Sequence, residues 1–586
     1  MEMLTGSKVM NLDEAVSRFI RPGMVIHAGN GWAFPTSLIY EIVRRFNGTS
    51  PGFTLASTTS GSYVLAPLLA AGLVKKAITS FWGDAYPYPG PNPVIQDAFS
   101  SGEVEVEEWT MLTIILRLMA GAMGIPFLTT KSILDSDIAR VNSGFRAIEN
   151  PFGESLNVGL VKALRPDISL AHGWMADPDG NTVINPPFAG GVWGALASKN
   201  GVVVTVEKIV PRVYLQKFRH LVKIPGSLVV SVSEVPFGSH PGGHHHEGVP
   251  EGAGCGYVED KEFILRLRAA CKKREDLHGW VNEWVIGAGN HEGYLNKLGQ
   301  DRLAGLRGNL GMEYSRYRRK IEEVRNNREE KRPAGNCTTT ETMIILAKRE
   351  LFNIVKARSC RHLLAGIGAS HLAAWLCYEE LLAEGIQVDL LSEIGMFGYS
   401  PWADDPYLFS IRNLPSAVLH TDILNILGVY GANASCSTLG ILGAAQVDKM
   451  GNINTSRSSD GSRFLVGSGG GNDIASGSKE VVVVAEQSKN RYVENVPFIT
   501  SPGSRVTTLI SQMGVFKKFH QDSPFVLAGL FCERGTAKQA AIEKVRELCG
   551  WELEIDSRMS WLDPPTALEL AGLRRMDPEG FFLGKM

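Results

Sequence analysis

The chain has 586 residues, 44% hydrophobic and 20% charged, with a net charge of −2 from 59 basic and 61 acidic side chains. This is globular composition, enough for roughly three to four domains or fewer large ones. Balanced charge excludes a protein drawn by its overall field to nucleic acid or to an acidic membrane surface. The segment Met1 to Lys8 lacks the apolar region of a signal peptide, and the longest nearly apolar run, Val64 to Val74, is too short to span a bilayer. The eight cysteines form no CxxC pair and several sit in apolar helix-like runs. They read as reduced core residues of a cytoplasmic protein.

In chain order, a helix is predicted over Asn11 to Ile20, then a strand over Met24 to Ala28. The turn Gly29-Asn30-Gly31 follows, then Ser37 and a helix over Leu38 to Phe46. Glu107-Glu108 is a candidate for a functional site, though such a charged run reads first as a solvated strand end. His244-His245-His246 lies in a Gly/Pro-rich loop. Consecutive histidines share no single face, and no cysteine or carboxylate cluster stands nearby at zinc-site spacing, so no metal is expected. The most charged stretch, Arg316 to Arg332, runs into Pro333-Ala334-Gly335-Asn336, a natural domain junction. Thr338 or Thr339, with Glu341 or Thr342 three residues on, then signals a fresh helix start. The expected division is 1–330, a linker over 331–338, and 339–586.

The second half predicts a helix over Ile344 to Lys356, a strand over His362 to Ala365, the turn Gly366-Ile367-Gly368 and a helix over His371 to Glu384. These signposts repeat the first half in the same order. Asp177-Pro178-Asp179-Gly180-Asn181 is echoed by Asp448-Lys449-Met450-Gly451-Asn452. Val202 to Glu207 is echoed by Val481 to Glu486, and Val235-Pro236-Phe237 by Val496-Pro497-Phe498. The pattern predicts an internal duplication: two related open, mostly parallel α/β domains. Neither Gly-x-Gly turn completes a dinucleotide fingerprint, because Phe34 and His371 stand where the third glycine belongs.

Two segments carry chemistry. The apolar run Val388 to Leu391 predicts a buried strand ending at Glu393, with Gly395 and Gly398 just beyond. A carboxylate at a strand's carboxyl end, beside backbone able to approach a ligand, is well sited to attack a substrate. The second segment, Gly467-Ser468-Gly469-Gly470-Gly471-Asn472-Asp473, can aim backbone N–H groups at a developing negative charge, with Asn472-Asp473 as a helix cap.

Ser392-Glu393-Ile394-Gly395, the glycine loop and Gly440 to Asn452 together resemble family I coenzyme A transferases, with the CoA-transferase/NagB-like fold, and in particular the β subunit of glutaconate CoA-transferase. The first half resembles the α subunit, notably Gly124-Ile125-Pro126-Phe127, Lys131 to Asp137 and Val235 to Pro241. The resemblance implies a fused α–β chain that moves CoA between an acyl-CoA and a small carboxylic acid. Glu393 would form an acyl anhydride and then a glutamyl-CoA thioester. Gly469, Gly470 and Gly471 would serve as oxyanion or CoA-binding residues, with Gly31 and Ser37 facing them from the first half. Some relatives carry asparagine at the Ser37 position. No permanent cofactor is implied, since CoA is substrate and covalent intermediate; a cytoplasmic homo-oligomer is expected. An acyl-CoA hydrolase on the same scaffold, including the ring-opening steroid-catabolic type, is the nearest alternative. A non-catalytic sensor would have no need of a glutamate opposite a glycine loop.

Overall fold

The computed structural model describes residues 7–29, 33–153, 157–245, 256–307, 337–403, 405–532 and 537–584. The charged stretch 316–332, most of the proposed linker, Gly31 and His246 lie outside them. Among the described residues no helix is long and apolar enough to cross a membrane.

The first half is built on seven parallel strands: β1 (Val25–Ala28), β2 (Phe53–Thr59), β3 (Val74–Phe81), β4 (Glu105–Glu108), β5 (Ile168–Ala176), β6 (Val202–Ile209) and β7 (Val229–Glu234). Their order in the sheet is β7-β6-β5-β1-β2-β3-β4. The second half has β8 (His362–Ala365), β9 (Asp389–Ser392), β10 (Thr438–Leu442), β11 (Glu480–Val484) and β12 (Val506–Ile510), in the order β12-β11-β10-β8-β9. Antiparallel strands extend this second sheet at both edges. The valine-rich runs of β6 and β11 are buried because parallel sheets are covered on both faces.

The two orders superimpose, β7-β6-β5-β1-β2 on β12-β11-β10-β8-β9. The echo extends to single hydrogen bonds. Asn181 takes its N–H and side-chain amide to Asp177 at 2.9 and 2.8 Å, and its Oδ1 accepts from Gly226 N at 2.9 Å. Asn452 does the same with Asp448 at 3.0 and 3.0 Å, and with Gly503 N at 2.8 Å. The chain is therefore an internal duplication of one α/β unit.

Expected helices and strands fall within a few residues of their observed bounds. The helix predicted from Ile344 starts earlier, as Thr339–Arg358, with Thr338 and Glu341 forming a reciprocal cap. Four cysteines, Cys271, Cys360, Cys377 and Cys549, are buried core residues, whereas Cys436 and Cys532 are half-buried and Cys337 is exposed. A shared apolar core joins the halves, where Trp109, Ile114 and Ile115 meet Leu391, Ile426 and Leu427.

Candidate active site

β9 delivers Glu393 to the carboxyl end of the second sheet. The turn that follows is clamped to the first half. Thr421 N donates to Gly395 O at 2.7 Å, and Phe188 N donates to Thr421 O at 2.9 Å. Gly395 has φ +122°, and a Cβ there would lie 2.5 Å from Thr421 O and 2.8 Å from Pro187 Cβ. Only glycine fits that backbone and that gap.

The glycine loop reaches the same place from β11's side of the sheet and threads into the first half. Val466 O accepts from Trp82 N at 3.1 Å, Gly469 N donates to Ser80 O at 2.9 Å, and Met111 N donates to Gly469 O at 3.1 Å. Ser80 and Trp82 flank the end of β3, and Met111 opens the helix Met111–Met123. Asn472 and Asp473 stand inside the helix Gly471–Gly477, whose N-cap is Gly470. The expectation that this pair caps its own helix is therefore corrected. Asn472 Oδ1 accepts from Ile133 N at 2.8 Å; Asp473 accepts from Thr110 Oγ1 at 2.6 Å and from Leu112 N at 3.0 Å. Both side chains stitch the halves together.

At the meeting point, a Cβ on Gly470 would fall 2.0 Å from Glu393 Oε2. Gly470 has no side chain because the carboxylate occupies that space. Glu393 is buried and accepts no hydrogen bond from a described residue. Burial, with a further contribution from the charge of Asp473, pushes its carboxyl up to about 8. Asp473 is itself raised to about 6 by burial, against the hydrogen bonds from the first half.

Glu393 and Gly467 to Gly471 line one cavity of about 370 Å³ between the halves. Gly366 and Ile367 of the second Gly-x-Gly turn and Gly443 to Ala445 line it too. Of the three expected loop glycines, Gly469 has its N–H engaged by Ser80 and Gly471 has its N–H engaged by Ser468. The N–H of Gly470 donates to no described backbone carbonyl. Ser37 is buried in the helix Thr36–Phe46 and does not line this cavity; its N–H donates to Gly238 O at 2.9 Å.

Three neighbouring readings change. Glu107-Glu108 is not a solvated strand end. Glu107 bridges Lys76 and Arg117 at 2.8 Å each, and Glu108 is buried against Ser456 of the second half, pushed up to about 7 by burial. The first-half cavity wall also contains Glu259, which sequence reasoning missed because it follows a loop with no periodic signal. Burial raises Glu259 to about 7, Arg412 opposes and Asp405 adds to the rise.

The third change concerns His244, which does have a carboxylate beside it. His172, Glu207 and His244 place ligand-type atoms within 4.8 Å of one another, a set able to hold a metal ion. Positions 172, 207 and 244 are too far apart in sequence for spacing to reveal this. The same atoms form a hydrogen-bond hub. Glu207 Oε1 lies 2.9 Å from His172 Nε2 and accepts from Tyr257 OH at 3.0 Å, and Oε2 accepts from Phe237 N at 3.0 Å. Burial raises the Glu207 carboxyl, but the hydrogen bonds and charge of the two histidines outweigh it and hold it well below the usual range. The hub ties the loop after β7 onto β5 and β6.

Known proteins resemble this chain in sequence and fold. A family model described as coenzyme A transferase matches residues 9–234. One of the glutaconate CoA-transferase polypeptides of Acidaminococcus fermentans is 26% identical over 336 residues, 53% of this chain and 97% of that one. The IpdA polypeptide of a cholesterol ring-cleaving hydrolase from Rhodococcus jostii is 30% identical over 296 residues, 48% of this chain and 93% of that one. An uncharacterized protein of Archaeoglobus fulgidus is 31% identical over 308 residues, and the chain spans 64% of its length. The fold of an acyl-CoA transferase from Escherichia coli O157:H7 covers 97% of this chain and 98% of that one, with a TM-score of 0.65 and 17% identity.

Proposed function

Because the chain belongs to the coenzyme A transferase family, we propose that it moves CoA between an acyl-CoA and a carboxylic acid through covalent intermediates on Glu393. The observation that carries this reading is the buried Glu393 carboxylate, which accepts no hydrogen bond from a described residue and packs against Gly470. A carboxylate held in a dry site with a raised pKa is a stronger nucleophile than one in water.

A Glu393 oxygen attacks the thioester carbonyl, the C–S bond breaks, and CoA thiolate leaves an acyl–glutamyl anhydride. The thiolate attacks the glutamyl carbonyl, the first carboxylate departs, and a glutamyl-CoA thioester remains. An incoming carboxylate reverses both steps and restores Glu393. Each addition builds an oxyanion that needs a pre-aimed donor. The N–H of Gly470 is the loop donor left for it, and Gly469 and Gly471 hold the loop in place. Of the two first-half candidates, Gly31 remains a proposed contributor, whereas Ser37, which does not line the cavity, would not contact the oxyanion. Burial serves the anhydride, which water would otherwise destroy. We assign the α-like unit to 1–330 and the β-like unit with Glu393 to 339–586, in a cytoplasmic enzyme that self-associates. Sedimentation as a 63.8 kDa species only would remove that last element.

The test is incubation with acyl-CoA alone. CoA should become attached to the Glu393 side chain, borohydride should reduce that thioester to an alcohol, and hydroxylamine should release it. Initial rates with varied acid should give parallel lines. Intersecting lines with no adduct would count against the covalent route. A second reading, favoured by the similarity to the ring-cleaving hydrolase, lets water take the acyl group on the same scaffold. Free CoA at full rate with no acceptor acid would establish it.

A further inference from the structure

The wall of the Glu393 cavity carries an unusual charge pattern. Among the described residues it contains three carboxyl side chains, Asp84, Glu259 and Glu393, and no lysine, arginine or histidine. The rest is largely apolar and aromatic, with Phe34, Tyr63, Phe81, Tyr86, Tyr407 and Phe409. These rings pack against one another: Tyr86 and Tyr407 meet edge to face at 4.8 Å, and Tyr407 and Phe409 at 5.6 Å.

Two guanidiniums beside the wall are already committed. Arg268 lies 3.5 Å from Asp84, which also accepts from Ser62 N at 2.9 Å. Arg412 lies 3.0 Å from Asp405. Two cations thus face three carboxylates, Asp84, Asp405 and Glu259. Glu259 is the least satisfied of these: Oε1 has a long 3.5 Å contact from Ile411 N, and Oε2 has no partner among the described residues. A second carboxylate on the substrate would enter this space with no cation among the described residues of the wall to meet it and with Glu259 opposing it.

We propose that the acyl group held in this cavity is that of a ring-bearing monocarboxylic acid with no charge beyond its one carboxyl, and that Glu259 excludes dicarboxylic acyl groups. The proposal rests on the reading of Glu393 as the site of acyl chemistry, and it names the substrate class of that site. Aromatic walls supply offset and edge contacts to a ring. Glu259 supplies discrimination through repulsion, a difference in affinity built against the wrong partner.

The experiment reads binding, so it does not depend on the reaction. Calorimetric titration at pH 8 of the full-length Glu393→Gln protein compares 3-phenylpropionyl-CoA with glutaryl-CoA. The ring-bearing thioester should bind roughly tenfold or more tightly. Adding Glu259→Gln should narrow that gap severalfold by improving glutaryl-CoA, while the affinity for 3-phenylpropionyl-CoA changes little. Circular dichroism and the retained affinity for the ring-bearing thioester report that the double variant is folded. Glutaryl-CoA binding as tightly as 3-phenylpropionyl-CoA, or a gap unmoved by Glu259→Gln, would overturn the proposal. If the double variant loses both ligands, Glu259→Asp, which keeps the charge, should preserve the gap; loss of the gap there also overturns it. Failure to trap a CoA adduct in the wild type, with this ranking intact, would instead count against the covalent role of Glu393 alone.

Discussion

Glu393 Oε2 sits where the Cβ of residue 470 would be, 2.0 Å from the position that side chain would take. The backbone of Gly470 is otherwise ordinary, with φ −89° and ψ 1°, so space alone requires glycine there. Carboxylate and loop reach this contact from separate strands, and each is pinned by the first half of the chain.

Gly470→Ala should therefore leave the protein folded and displace the Glu393 carboxylate. A misplacement of about 1 Å at a reacting group costs on the order of a hundredfold in rate. The expected result is a kcat lower by two orders of magnitude or more with a small change in KM, and a still larger loss in Gly470→Val. A Gly470→Ala enzyme with wild-type kcat would contradict the contact. Glu393→Ala should abolish transfer and covalent labelling together.

The pH profile follows from the raised carboxyl. With a value of about 8, Glu393 is mostly protonated at pH 6, and the proposed attack needs the carboxylate. For acyl-CoA, kcat/KM should rise about tenfold per pH unit below that value and level off above it. Asp473→Asn removes a charge that helps raise Glu393, so the rising limb should move to lower pH. A limb that stays in place in Asp473→Asn would show that the profile belongs to another group.

Stability should move the opposite way. The folded carboxyl of Glu393 is raised from 4.5 to about 8, so the folded state holds its proton more tightly than the unfolded chain does. Stability is then lost as pH rises from 4.5 to 8, and the loss is complete above 8. Glu393→Gln carries no charge to bury. It should match the wild type near pH 4 and exceed it by about 3 to 5 kcal/mol at pH 9. Urea denaturation at both pH values measures this; a gain independent of pH would refute the charge-burial account.

The duplicated asparagines should behave alike. Asn181→Ala and Asn452→Ala each delete the side-chain bond to an aspartate and the acceptor for a glycine N–H. Each should cost about 1 to 3 kcal/mol, since the glycine N–H is left without its partner. Denaturation of the two variants under one condition checks this. A neutral effect at one site with a severe effect at the other would show that the two turns are not equivalent.

Much of the fold was legible in the sequence because it is local. Hydrophobic runs and turn residues mark β1, β8 and β9 and the helices that follow β1 and β8, each close to its observed bounds. Glu393 was legible because it ends an apolar run and precedes two glycines. Glu107-Glu108 misled because a charged pair at a strand end looks solvated, whereas Lys76, Arg117 and Ser456 come from elsewhere to cover it.

The sequence by itself determined the repeat and the chemical groups: a strand-end carboxylate and a flexible loop of glycines, both set by residue type and short-range spacing. Tertiary structure alone decided how they act. It took the Gly469 N–H for Ser80 and left that of Gly470, because hydrogen-bond partners hundreds of residues apart are fixed only by packing. It set Asp473 near Glu393 and raised that carboxyl, because burial and proximity shift a carboxyl and neither is written in local pattern. It also set Glu259 in the same cavity, at a position that no motif marks.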